Sequence, residues 1–103
     1  MFQKFNPQNE HIFVFVRDKI VPRNEAQVSV FDSSVQGGDA VWEGLRIYNR
    51  RIFSLDAHLE RLYQSAKALD FKNIPDKAFI IQAIVDTLHA NKMYDHAHIR
   101  LTL

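Results

Sequence analysis

The sequence has no cysteine, which excludes disulfides, thiolate metal sites and a cysteine nucleophile and leaves packing to supply stability. Long apolar runs are missing too. The longest, residues 12–16 and 78–81, are far shorter than the roughly 20 residues of a membrane-spanning helix. Residues 1–8 lack the apolar centre of a secretory signal, so a cytoplasmic location is expected. Glycine and proline are scarce, three of each in 103 residues, which excludes collagen-like and low-complexity chains. There is no excess of either charge: 13 Lys plus Arg stand against 12 Asp plus Glu, a formal +1. Neither nucleic acid nor an anionic membrane is therefore an expected partner, and any anion site must be local. With 47% hydrophobic and 24% charged residues, what remains is the composition of one globular domain over residues 1–103.

Periodicity outlines the elements. Residues 12–16 are β-branched and aromatic, and after Arg17-Asp18-Lys19 the Ile20-Val21 pair completes an expected hairpin. Residues 22–25 read as a turn. Gln27, Ser29 and Phe31 alternate with Val28 and Val30, which predicts a further strand. Asp32-Ser33-Ser34 and Gly37-Gly38-Asp39 bound an irregular segment, the leading candidate for a functional loop. Residues 41–48 and 52–54 are apolar runs joined by Asn49-Arg50-Arg51, a hairpin connection without the usual glycine.

From Leu55 the period changes. Leu55, Leu59, Leu62, Ala66 and Leu69 make the apolar stripe of a helix, with Ser54 as its expected N-cap and Asp56 near the positive end of its dipole. Pro75 suits the first turn of a second helix, whose buried stripe comes from Phe79 or Ile80, Ile81, Ile84, Val85 and Leu88 and which stops at Asn91. Residues 97–103 alternate as a half-buried strand and end without a turn residue, so a truncated chain is expected. Strands, two helices and a strand in that order predict an α+β fold, a mostly antiparallel sheet with two main helices packed on it.

The common phosphate-loop, dinucleotide, nucleophile-elbow and zinc-helix motifs are all absent. His96 and His98 stand two apart without a third ligand and are read as a surface pair, so no metal site is expected. One block remains: Gly38-Asp39-Ala40-Val41-Trp42-Glu43-Gly44-Leu45-Arg46-Ile47-Tyr48, then Phe53-Ser54-Leu55-Asp56-Ala57-His58-Leu59-Glu60-Arg61-Leu62 and Ser65-Ala66-Lys67-Ala68-Leu69. In motif order and spacing it resembles the N-terminal domain of the class IV aminotransferases. These fold-type-IV pyridoxal-phosphate enzymes include branched-chain and D-amino-acid aminotransferases and aminodeoxychorismate lyases. The resemblance runs from about Val28 to Leu103.

The resemblance implies roles residue by residue. Arg61, in the His-x-x-Arg-Leu helix, is expected to contact the cofactor phosphate, for which a permanently charged planar guanidinium is well suited. Trp42 is expected to form a wall against the substrate side chain, with core packing as its plain alternative. Arg100 matches a strand arginine near the substrate carboxylate. Glu43 and Arg46, three apart and of opposite charge, are expected to support the structure, with a mutual ion pair as the simple reading. Where relatives carry an aromatic residue before the Gly-Asp step, this chain has Gly37, so side-chain recognition cannot be copied from the branched-chain enzymes.

The lysine that forms the Schiff base with pyridoxal 5′-phosphate lies, in this family, in a C-terminal domain, and no lysine here matches it. The expectation is a two-domain homodimer that transfers an amino group between an amino acid and an α-keto acid, with this piece inactive alone. An aminodeoxychorismate lyase and a non-catalytic binding or assembly module are the alternatives.

Overall fold

The computed structural model describes residue 4 and residues 6–103. Two sheets and three helices follow a short 3₁₀ turn at Pro7–Asn9. Strands β1 (Phe13–Val16) and β2 (Lys19–Pro22) form an antiparallel hairpin. A one-turn helix α1 (Ser33–Gln36) precedes β3 (Trp42–Tyr48) and the short β4 (Arg51–Ile52). Helices α2 (Leu55–Ala68) and α3 (Lys77–Ala90) are followed by β5 (Ala97–Thr102), which returns antiparallel to β3 and gives the three-stranded order β4-β3-β5. The α+β architecture expected from the element order is the one observed.

Alternation along β3 and β5 divides this sheet into two faces. Directly paired residues share a face, so Glu43 with Leu101, Leu45 with Ile99 and Ile47 with Ala97 point to the helices, while Trp42 with Thr102 and Arg46 with His98 point away. The helix side holds the core. Leu59, Leu62 and Ala66 of α2 are fully buried with Leu45 of β3, and Val41, Ile47, Ile80 and Ile84 complete it. The other side stays open: Trp42, Arg46, Tyr48, His98, Arg100 and Thr102 are all exposed.

Local chemistry explains where elements start and stop. Asn49 and Arg50 both adopt left-handed backbone, φ 49° and 64°, the twist that a two-residue hairpin turn demands. Long-range bonds offset the missing glycine: Asp95 Oδ1 accepts from Asn49 N at 2.8 Å, Tyr94 O accepts from Arg50 N at 2.7 Å, and the Arg50 guanidinium lies over the Tyr94 ring. Helix α3 ends at Asn91 as expected. The Asn91 carboxamide also accepts from Phe13 N and donates to Phe13 O, occupying the outer edge of β1 as a neighbouring strand would.

Four expectations are corrected. Residues 27–31 form no strand, because local bonds within the turn take the backbone groups: Ser29 accepts from Phe31 N and Asp32 N, and Val30 O accepts from the Gln36 side chain. The segment between Asp32 and Gly37 is a helical turn capped by Asp32. Ser54 does not cap α2 with its side chain; its backbone is left-handed and its carbonyl accepts from His58 N. Pro75 lies outside α3, whose cap is Asp76, its carboxylate accepting from Phe79 N.

Val41 and Leu103 exchange both backbone hydrogen bonds, and antiparallel alternation then turns the amides of Ile99 and Leu101 toward β3 and those of His98, Arg100 and Thr102 outward. The outward set borders an apolar groove of about 330 Å³ between β1, α3 and β5. Amide hydrogen exchange in this 103-residue chain is therefore expected to be slow at Ile99 and Leu101 and fast at His98, Arg100 and Thr102. Uniform protection along β5 would show that another strand covers this edge.

Candidate functional site

From Val41 into β3 the inward series reads Val41, Glu43, Leu45, Ile47, and a carboxylate in such a row needs a partner. Glu43 is buried, only 5% exposed, and helix α2 supplies the partner. Arg61 Nε donates to Glu43 Oε1 and Oε2 at 3.0 and 2.9 Å, and Arg61 Nη2 donates to Oε1 at 2.6 Å. His58, one helical turn earlier, brings Nδ1 to 2.7 Å from the same Oε1. The Arg61 guanidinium holds the Glu43 carboxyl below its ordinary range against the upward push of burial, and the His58 hydrogen bond adds to the lowering. Glu43 in turn raises the pKa of Arg61. The arginine side chain is 64% exposed, and Nη1 makes no hydrogen bond to any described side chain or carbonyl. A charged, oriented donor edge is thus presented to solvent.

The expected Glu43–Arg46 ion pair does not form. On a strand, residues three apart point to opposite faces, so Arg46 lies on the open side and Glu43 on the helix side.

On the open face, Arg100 Cζ sits 3.8 Å from the centre of the Trp42 ring. Stacking of this kind contributes about 0.5–1 kcal/mol at an exposed site; Arg100 Nε donates to Thr102 Oγ1 at 3.4 Å, which leaves the N–H groups of its two Nη atoms to donate elsewhere. Gly44, between them on β3, lets the neighbouring rings close over the strand: a Cβ there would stand 3.0 Å from His98 Nε2 and 3.6 Å from Trp42 Cζ3. Trp42 is 53% exposed, so the core-packing alternative does not describe it. His98 lies on this face and the His96 ring meets Tyr48 edge-on. Among the described residues no three His, Asp or Glu side chains group as a metal ion would require.

The structure thus brings Trp42 and Arg100 together and places Arg61 on the opposite face of β3. Trp42 and Glu43, which holds Arg61, stand where β3 begins, and Arg100 stands near the end of β5.

Sequence reasoning missed Glu43 as the partner of Arg61, and missed His58 entirely. The available signal was the lone acid in an apolar inward row, together with a histidine and an arginine at i and i+3 on one helix face.

Comparison with known proteins follows the same block of residues. A family model described as amino-transferase class IV matches residues 40–103. Branched-chain-amino-acid aminotransferase-like protein 1 of Arabidopsis thaliana is 56% identical over 97 residues, 94% of this chain and 18% of that protein. A D-alanine aminotransferase of Listeria innocua is 38% identical over 88 residues, 85% of this chain and 30% of that one. A solved T.th. branched-chain amino acid aminotransferase, complexed with N-(5′-phosphopyridoxyl)-L-glutamate, superposes with a TM-score of 0.80 at 29% identity, over 90% of this chain and 33% of that chain. The chain therefore spans between about a fifth and a third of the length of these relatives.

Proposed function

Because this chain belongs to the amino-transferase class IV family, we propose that it is the N-terminal domain of a pyridoxal-phosphate-dependent aminotransferase that moves an amino group between an amino acid and an α-keto acid. The observation that supports this reading is the guanidinium edge of Arg61, oriented by Glu43 and left partly free where β3 begins, with the tryptophan–arginine stack on the opposite face of the same strand.

The donor set fits the phosphate end of the cofactor. Arg61 keeps N–H groups free beyond those given to Glu43, and a guanidinium edge matches phosphate oxygens. It does not fit the covalent end. All six lysines are exposed, Lys72 and Lys77 are paired with Asp70 and Asp56, and none is bonded to Glu43, His58, Arg61, Trp42 or Arg100. In this reading the amine that carries the cofactor belongs to a second domain, the working unit is a homodimer, and the piece alone is inactive. When bound, pyridoxal phosphate supplies the electron sink that makes a substrate α-proton labile.

The residues present do the binding work. Arg61 anchors the phosphate, Arg100 offers a charged edge to a substrate carboxylate, and Trp42 supplies a flat apolar wall beside it. Relatives named for branched-chain amino acids and for D-alanine both match this chain, and the substrate assigned here is an amino acid of one of these two classes. The test is an assay of the complete protein for α-keto-acid-dependent amino transfer. Pyruvate release without amino transfer would move the assignment to a lyase, and a protein that neither binds pyridoxal phosphate nor transfers an amino group would end it.

Trp42→Ala in the complete protein is expected to alter relative kcat/KM among amino acids by roughly tenfold while changing cofactor affinity less. An unaltered order of preference would remove Trp42 from the substrate wall.

A further inference from the structure

We infer that Glu43 and His58 are positioning residues that hold the Arg61 guanidinium in one orientation for a phosphate group, an inference that rests on the reading of Arg61 given above.

Glu43 is the one buried charged side chain among the described residues. Its neighbours in the inward row, Val41, Leu45 and Ile47, are aliphatic, and an aliphatic residue at position 43 would fill the site without desolvating a charge. Replacing a buried ion pair with apolar residues is often neutral or stabilising, so stability alone gives little reason for a carboxylate here. Its geometry gives a better one. The carboxylate spans the Nε–Nη2 side of Arg61, with both oxygens within 3.0 Å of Nε. A guanidinium has five N–H donors in a rigid plane. Glu43 engages those of Nε and one of Nη2, so the second Nη2 hydrogen and both on Nη1 face away from the acid. His58 completes the hold: an ionised carboxylate only accepts, so His58 donates from Nδ1 to Oε1 over 2.7 Å.

Two effects of opposite sign follow. A carboxylate against the guanidinium weakens the net field that a phosphate experiences. It also removes the conformational freedom of a long side chain that is 64% exposed, a freedom otherwise lost on binding. Arg61 lies at the end of the sheet with solvent on its open side, where Coulomb attraction is already screened. Ordering therefore outweighs the field lost. Neither Glu43 nor His58 touches the ligand in this arrangement; both act through Arg61.

The experiment titrates the complete protein with pyridoxal phosphate and, separately, with pyridoxal, which lacks the phosphate. It compares wild type, Glu43→Gln, Arg61→Ala, the double variant and His58→Ala. Glu43→Gln is expected to weaken pyridoxal phosphate binding roughly 5- to 20-fold, to leave pyridoxal binding unchanged, and to add nothing when Arg61 is already alanine. His58→Ala is expected to weaken it about 2- to 5-fold and serves as the readout if Glu43→Gln does not fold. The inference is overturned if Glu43→Gln binds pyridoxal phosphate as well as or better than wild type, if it weakens both ligands alike, or if its effect persists in the Arg61→Ala background. With Glu43→Gln unfolded, a His58→Ala variant that binds as wild type overturns it. An Arg61→Ala variant that binds normally overturns the phosphate reading of Arg61 itself, a result separate from the others.

Discussion

Arg61→Ala, made in the complete protein, is expected to raise the dissociation constant for pyridoxal phosphate roughly 10- to 100-fold, the effect of losing one or two charge-assisted hydrogen bonds to a dianion. Two consequences of the geometry make the loss larger than for a surface arginine. The guanidinium is pre-oriented by three short contacts to Glu43, so wild type spends little of its binding energy on ordering it. Removing it also leaves a buried carboxylate with only His58 as partner, which puts uncompensated negative charge beside the phosphate position proposed for Arg61. The measurement is a spectroscopic titration of the apo-protein, with free phosphate as competitor. Unchanged affinity, or a loss equal for pyridoxal and its phosphate, would take Arg61 out of the phosphate site.

The second large effect concerns the fold. Leu59 is fully buried on α2 and belongs to one core cluster with Leu62, Ala66, Val41, Ile80 and Ile84. Leu59→Ala removes three carbon atoms' worth of side chain from that cluster and is expected to cost about 2–5 kcal/mol of stability. The cost falls on a thin core. Eight hydrophobic residues are buried among the described residues, and the radius of gyration of 14.2 Å exceeds the value of about 13 Å expected for a chain of this length. Against a typical total of about 5–15 kcal/mol, the substitution is expected to leave the 103-residue chain largely unfolded or close to it. Urea denaturation followed by circular dichroism checks this, and a midpoint within error of wild type would show that the helix–sheet contact is not the main source of stability. Leu69, in the same sequence stripe but 49% exposed, is the control, with an expected change of less than about 1 kcal/mol.

The contrast between Leu59 and Leu69 shows how far the pattern could be read. The stripe from Leu55 to Leu69 predicts a helix and its inward side, and α2 forms there. Leu69 falls at the C-cap, beyond the last helical turn, where the stripe no longer meets the sheet. Val28 and Val30 tell a similar story. Their alternation is compatible with a strand, but a strand exists only where a neighbour offers an edge, and here turn bonds from Ser29 and Gln36 claimed the backbone first.

Family membership was legible in the sequence: the motif block from Gly38 to Leu69 carries the resemblance to class IV aminotransferases, and the family match bears it out over residues 40–103. The roles of Arg61, Trp42 and Arg100 belong to the proposed function. Their partners were not legible. Glu43 looks toward Arg46 in sequence, three residues away, yet strand geometry sends the two to opposite faces, and its real partner is 18 residues distant.

Periodicity and local chemistry, written into the chain itself, determined the two main helices, the inward and outward sides of β3 and β5 and the stop at Asn91, because helical stripes, strand alternation and end signals are each read over a few neighbouring residues. Tertiary structure alone decided which charge meets which. The register of α2 across β3 brings Arg61 and His58 onto Glu43, and the pairing of β3 with β5 stacks Arg100 on Trp42. Contacts between residues 15 to 58 positions apart depend on how elements pack, and no local pattern encodes that distance.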